Sequence, residues 1–335
     1  MTRSQIFGLL PAACLAISAI GAVAADAAVQ PGSHLQLGAK IPLGQVKGRI
    51  DHLALDLKRG RLFVAELGND TVGVVDLKQR RMIRRLSGFK EPQGLAWSPE
   101  ADTLYVASGG DGSVRAFTGE ALAAGPTIDL GDDADNVRLA ADGQVLVGFG
   151  SGAVATLDAR TLRRGADIRF AGHPEGFQLE KRSPRVFVND PDAQQVVVLD
   201  RARAEVVARW RMRFGANYPM ALDEANARLF VVFRSPAILG VFSTRDGSAL
   251  GQAQACGDAD DVFLDERRSI AYVICGAGRI EVFDTRAATF TRVGTFPSVT
   301  GARTGLFSPE LDRLFIAVRA VGAQPAAIWI LRPTD

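Results

Sequence analysis

The feature that most constrains this chain is a repeat. Seven short apolar segments, at 53–56, 95–98, 137–140, 177–180, 220–223, 262–265 and 305–308, end at positions spaced 42, 42, 40, 43, 42 and 43 residues apart. Within each period the same order returns. A second apolar run follows a tight turn (62–65, 104–107, 145–148, 186–188, 229–232, 270–274, 314–318), and a Gly/Asn/Asp-rich turn leads to a third (71–76, 113–117, 195–200, 279–284). A more polar fourth run, such as 82–86 or 206–210, closes most periods. Runs of four to six β-branched and aromatic residues bounded by turn formers read as strands. Four strands in a period near 42 residues is the signature of a propeller blade. The sequence therefore predicts an all-β, seven-bladed β-propeller with four-stranded blades. Two β-sandwiches divided near residue 180 would require a break in period and a linker, and neither is present.

The two ends of the repeat fit one another. After Ser308 there is room for two more strands, near 314–318 and 327–331, so the last blade lacks one. An alternating segment at 34–43 precedes the first period. Placed at the edge of the last blade it completes four strands, closes the ring and covers an edge otherwise open to further pairing.

Residues 1–24 read as a signal peptide. Arg3 supplies the positive start, 6–23 is an apolar run, and Ala22-Val23-Ala24 is a small-x-small cleavage site. Cys14 lacks the upstream pattern of a lipidation site, since Pro11 stands three residues before it. The expectation is a single domain at 25–335, periplasmic or secreted, monomeric and without a membrane span. Lys and Arg number 39 against 37 Asp and Glu, a net charge of +2 that falls to +1 once Arg3 is removed. That balance argues against a dedicated nucleic-acid binder. The Arg-rich stretch 201–213 is interleaved with Val206, Val207 and Trp210, as on a solvated outer strand. Cys256 and Cys275 remain after cleavage, and export allows them to form a disulfide; two buried thiols are the alternative.

The hairpin Leu62-Phe63-Val64-Ala65-Glu66-Leu67-Gly68-Asn69-Asp70-Thr71-Val72-Gly73-Val74-Val75-Asp76 resembles the YVTN-type β-propeller repeat: an apolar strand, an Asn/Asp/Gly turn, then T-V-x-V-[IV]-D. Looser copies occur at 104–107 with 113–114, and at 186–189 with 196–200. This resemblance implies the propeller fold and an exported protein. It implies no particular activity, because function on a shared fold resides in the site. No C-x-x-C-H haem attachment, phosphate loop, nucleophile elbow or zinc motif is present.

The inner strand of each blade lines the central channel. Five residues before the end of each inner strand stand Asp51, Gln93, Asp135, Glu175, Tyr218, Asp260 and Arg303; the next residues are His52, Gly94, Asn136, Gly176, Pro219, Asp261 and Thr304. A polar ring at one mouth is a convergent position suited to a ligand. Two of these segments nearly duplicate one another, Asp133-Ala134-Asp135-Asn136 and Asp258-Ala259-Asp260-Asp261. For a metal, Asp51, Asp135, Asn136, Glu175, Asp260 and Asp261 offer oxygen donors suited to Ca²⁺ or Mg²⁺, while His52, or His173 beside Pro174, would bring Zn²⁺ or general-base work within reach. Gln93, Tyr218, His173 and Arg303 are candidate ligand contacts, with Arg303 a fork for a carboxylate or phosphate. The competing explanation is structural: Asp and Asn cap turns through their own backbone.

The sequence favours a binding propeller for a small ligand, a metal ion or a partner protein at this acidic funnel. The alternative is a metal-dependent, lactonase-like hydrolase. The set Asp51, Asn136, Glu175 and Asp260 is similar in kind to the Glu, Asn and Asp that hold a divalent ion in propeller lactonases. A lyase-like elimination at His52 is a further reading, resting on that single histidine. If the ring is a site, replacing Glu175 or Asp260 by its amide is expected to spare the fold and weaken binding.

Overall fold

The computed structural model describes Met1, residues 34–286 and residues 289–334. Apart from Met1, the proposed signal peptide and its cleavage site lie outside the described residues. No described helix is long and apolar enough to cross a membrane.

Seven four-stranded antiparallel sheets form the blades of a β-propeller. Blade 1 consists of Leu53–Asp56, Arg61–Glu66, Thr71–Asp76 and Arg81–Ser87, taken from the channel outward. Blades 2 to 6 repeat that order through Arg292–Pro297. In blade 7 the chain supplies Gly305–Ser308, Arg313–Val318 and Ala327–Pro333, and Leu35–Pro42 pairs antiparallel with the last of these as the outer strand. The two termini of the ring thus meet in one sheet, with Leu35 and Ile41 buried in it.

The core lies between blades. The second and third strands carry the apolar runs, so Leu62, Phe63 and Val64 in blade 1 and Phe230, Val231 and Val232 in blade 5 are wholly buried. Facing sheets interdigitate: Tyr272 and Ile274 of blade 6 pack with Leu314, Ile316 and Trp329 of blade 7. Outer strands have one wet face, and Glu205–Arg211 alternates between exposed and half-buried along its whole length, as a half-covered strand must. Forked ion pairs tie neighbouring blades together. Arg59 donates to both oxygens of Asp102 at 2.7 and 2.9 Å, and Arg268 to both oxygens of Asp312 at 2.8 and 3.0 Å.

The inner strands depart from the expected four residues in a way that makes the site. In several blades they extend back through the polar ring positions: Pro92–Ser98, Ala134–Leu139, Gly215–Asp223 and Ala259–Asp265. Each carries a register shift there, between Pro92 and Leu95, Ala134 and Val137, Asn217 and Met220, and Ala259 and Asp261. Blades 1 and 4 show the same device in their hydrogen bonds. Asp51 N–H donates to Ala65 O while Ala65 N–H donates to His52 O; Glu175 and Gly176 face Asn189 in the same manner. Two consecutive residues thus oppose one on the next strand, which is a β-bulge. Bulges re-aim side chains and gather next to functional sites. In blades 1 to 6 the polar ring therefore sits on bulges.

Candidate functional site

The bulges bring eight of the expected residues to one cavity of about 50 Å³: Asp51, His52, Asp135, Asn136, Glu175, Tyr218, Asp260 and Asp261. In blades 3 and 6 the backbone turns into the bulge through a left-handed residue, Asp133 (φ 21°) and Asp258 (φ 58°). Asp tolerates that conformation better than most residues. The duplicated Asp-Ala-Asp motif thus divides its work, with its first Asp shaping the turn and its second reaching the channel. Gly94 and Gly176 are glycines because the ring is narrow. A Cβ on Gly94 would stand 1.8 Å from the Asp135 carbonyl oxygen, and one on Gly176 2.7 Å from that of Tyr218.

Three expected contacts fall elsewhere. Gln93 lays its amide over Gly109, 1.9 Å from where a Cβ there would stand, so its side chain is used in blade packing. His173 directs Nδ1 to the Gly150 carbonyl oxygen at 2.7 Å, with Asp133 Oδ2 at 3.7 Å, outside the cavity wall. Arg303 stands behind the wall, with Nε 2.9 Å from Asp260 Oδ2 and Nη1 donating to Asp258 Oδ1 at 2.9 Å.

Arginines that the sequence did not single out complete the site. Arg49 Nη2 lies 2.7 Å from Asp51 Oδ2 and 3.9 Å from Asp260 Oδ2. Arg234, near the end of the second strand of blade 5, pairs with Asp260 Oδ1 and donates through Nε to Ala259 O at 2.7 Å. Its guanidinium covers the Tyr218 ring, 3.8 Å from the centroid. Arg138 and Gln178 sit on inner strands three residues past the ring positions, and both line the cavity. Their signal in the sequence was a polar residue inside an otherwise apolar inner strand. Arg49 and Arg234 carried no such signal.

The electrostatics separate the carboxylates. Burial pushes the Asp135 carboxyl up to about 7, with Asp51 and Glu175 adding to the rise and His52 opposing it. Burial likewise raises Glu175 to about 7, reinforced by Asp260 and opposed by Arg234 and Arg49. Asp261 is raised well above the usual carboxylate range by burial, although its Oδ2 accepts from Gly305 N–H at 2.8 Å. Asp260 is also raised by burial, with Arg234 and Arg303 pulling against the shift. Asp135 Oδ1 and Asn136 Oδ1 are buried acceptors without a hydrogen-bond partner.

These two oxygens, on consecutive residues lining the cavity, carry no partner that would compete with a hard cation. Of the rest of the expected metal set, arginines hold Asp51 and Asp260 and a backbone amide holds Asp261, while Glu175 lines the same cavity. Among the described residues no group of three or more His, Cys, Asp or Glu side chains is arranged to hold a metal ion.

Below the rim, Cys256 and Cys275 are joined in a disulfide, both buried, with Cα atoms 5.9 Å apart. Cys275 pairs in register with Ala259, so the bridge anchors the turn that presents Asp258, Asp260 and Asp261.

No family model matches the chain. Over 174 residues it is 23% identical to the uncharacterized protein YncE of Salmonella typhimurium, a match covering 50% of this chain and 48% of that protein. The chain thus spans about half the length of the curated relative it matches. The fold resembles hydrazine synthase of Kuenenia stuttgartiensis with a TM-score of 0.70 at 14% identity, over 82% of this chain and 94% of that one. At that identity the likeness concerns architecture alone. Fold and repeat together make this chain a seven-bladed β-propeller, similar over part of its length to YncE.

Proposed function

We propose that this protein is an exported binding propeller whose funnel takes the cationic or donor-rich end of a small ligand, such as an ammonium or guanidinium group. The observation that carries this reading is the pair of buried, unpartnered acceptors, Asp135 Oδ1 and Asn136 Oδ1, in a cavity whose carboxyls Asp135 and Glu175 are held near neutrality. A buried acceptor left unsatisfied costs about 1–3 kcal/mol, and an incoming N–H removes that cost. A cation also offsets the repulsion among the clustered carboxylates. A cavity of about 50 Å³ has room for one polar group or a few waters, so the remainder of the ligand would lie toward the open rim. The reading as an exported protein, periplasmic or secreted, is supported by the character of residues 1–24 and by the disulfide.

A second reading is hydrolytic or lyase-type acid–base chemistry. It is supported by Asp135 and Glu175 near 7 beside His52, because proton transfer is most efficient when the catalytic pKa lies near the working pH.

The test is calorimetric titration and thermal shift of the purified protein with methylammonium, guanidinium, Ca²⁺, Mg²⁺ and Zn²⁺. Binding of the organic cations, lost in Asn136→Leu, supports the proposal. Binding of divalent ions alone would replace it with a metal site, and no response to any of the five up to millimolar concentration would refute it.

A further inference from the structure

The channel does not end at the funnel. His52, Arg138, Gln178, Asp261 and Phe263 form a collar that also borders a second, wider chamber of about 530 Å³ toward the opposite mouth. Apolar side chains, Leu55, Leu95, Trp97, Leu139, Leu306 and Phe307 among them, make up about half of its wall, and polar groups make up the rest. Small-molecule sites fall in this size range and set apolar surface beside placed polar groups.

The polar group that distinguishes the chamber is Arg138. Arg49, Arg234 and Arg303 each have a carboxylate partner in the funnel. Arg138 makes no ion pair among the described residues; its Nη1 donates to the Val137 carbonyl oxygen at 2.9 Å, and its guanidinium lies 5.4 Å from the Phe177 ring centroid. Burial pulls its pKa below the ordinary arginine value, with Asp261 and Asp135 opposing the shift. Asp261 gives it little compensation, since its Oδ2 takes the Gly305 amide and burial favours the protonated acid. The one other acid bordering the chamber, Glu310, is held by Ser308 Oγ at 2.9 Å. A half-buried guanidinium without an ion-pair partner, set beside this apolar surface, calls for an anion attached to an apolar body.

We propose that this chamber binds a monocarboxylate with an aliphatic or arylalkyl body, its carboxylate on Arg138 and its body against Leu95, Trp97 and Leu306. A planar carboxylate matches the guanidinium fork, whereas a phosphate dianion would carry more charge than one arginine balances. This site differs from the funnel in calling for ligand charge of opposite sign, and the two share the collar of His52, Arg138, Gln178, Asp261 and Phe263.

The experiment titrates the purified protein at neutral pH with octanoate, octanol and octylamine, by calorimetry and by tryptophan fluorescence. Trp97 borders the chamber, whereas Trp210 and Trp329 do not. Octanoate is expected to bind at one equivalent, at least about tenfold more tightly than octanol, through a charge-assisted hydrogen bond that octanol cannot make. Octylamine is expected to bind more weakly than either. The fluorescence response should vanish in Trp97→Phe, and Arg138→Gln should remove the advantage of octanoate while leaving octanol affinity unchanged. Octanoate binding no more tightly than octanol to the unaltered protein would overturn the proposal, even if Arg138→Gln failed to fold. So would a carboxylate preference that survives in a folded Arg138→Gln, or a fluorescence response that persists in Trp97→Phe.

Discussion

Replacing Glu175 by Gln isolates the electrostatic cost stored in the funnel. Glu175 rises from an ordinary 4.5 to about 7 in the folded protein, chiefly through burial. The folded state therefore holds this proton more tightly than the unfolded chain does. Below about pH 4.5 both states are protonated and the group is neutral toward stability. As pH climbs through the window from about 4.5 to about 7, the unfolded chain releases the proton first, and folding stability falls. Above about 7 the full difference has developed. Two and a half pH units correspond to about 3 kcal/mol, since one unit is about 1.4 kcal/mol. Glutamine keeps the shape and never ionises. Glu175→Gln should therefore match wild type near pH 4.5 and exceed it by up to about 3 kcal/mol at pH 8, a rise of several degrees in Tm. Urea melts at half-unit steps from pH 4.5 to 8.5, fitted with a common slope, measure the difference directly. A variant that is less stable than wild type at pH 8, or whose offset does not change with pH, would refute the reasoning.

Asp260→Asn sets two effects against each other, relief of a buried carboxylate whose pKa is raised and loss of a partner shared by Arg234 and Arg303. Its gain in the same melts above neutral pH should therefore be smaller than that of Glu175→Gln, with the fold spared in both. Affinity for a cationic probe in the funnel should rise between about pH 5 and about pH 7, by up to tenfold per unit for each proton displaced from Asp135 or Glu175; calorimetry in two buffers of different ionisation heat counts those protons. Replacing Cys256 and Cys275 together by Ser removes a bridge across 19 positions and should cost on the order of 3 kcal/mol, read as a lower denaturation midpoint that reductant does not lower further. A chain that begins at Lys47 lacks the outer strand Leu35–Pro42 of blade 7, with its buried Leu35 and Ile41, and should melt well below the full protein; an unchanged Tm would count against ring closure by this strand.

The sequence by itself determined the architecture. A period near 42 residues, four strands long and repeated seven times, has few other solutions, because each blade must cover the apolar faces of its neighbours. The disulfide was legible for a related reason: both cysteines fall at one end of the same repeat, where antiparallel pairing brings their positions together. The polar ring could also be read from position in the repeat, and most of it converges as position alone suggested. What position could not reveal was which ring residues reach the channel. That depends on the bulges, which present two consecutive side chains where regular pleating would present one, and on glycines such as Gly109 that offer space to a side chain like Gln93. The basic half of the site was hidden for a different reason. Arg234 approaches Asp260 from the second strand of the adjacent blade, 26 residues earlier in the chain, and no local pattern records a contact made across a blade interface. Arg138 stood in plain view as a polar residue on an inner strand. Its lack of an ion-pair partner became visible only when the ring closed and its neighbours, Asp261 and Asp135, came to rest beyond pairing distance, because the position of one blade against another is set by packing across the whole ring.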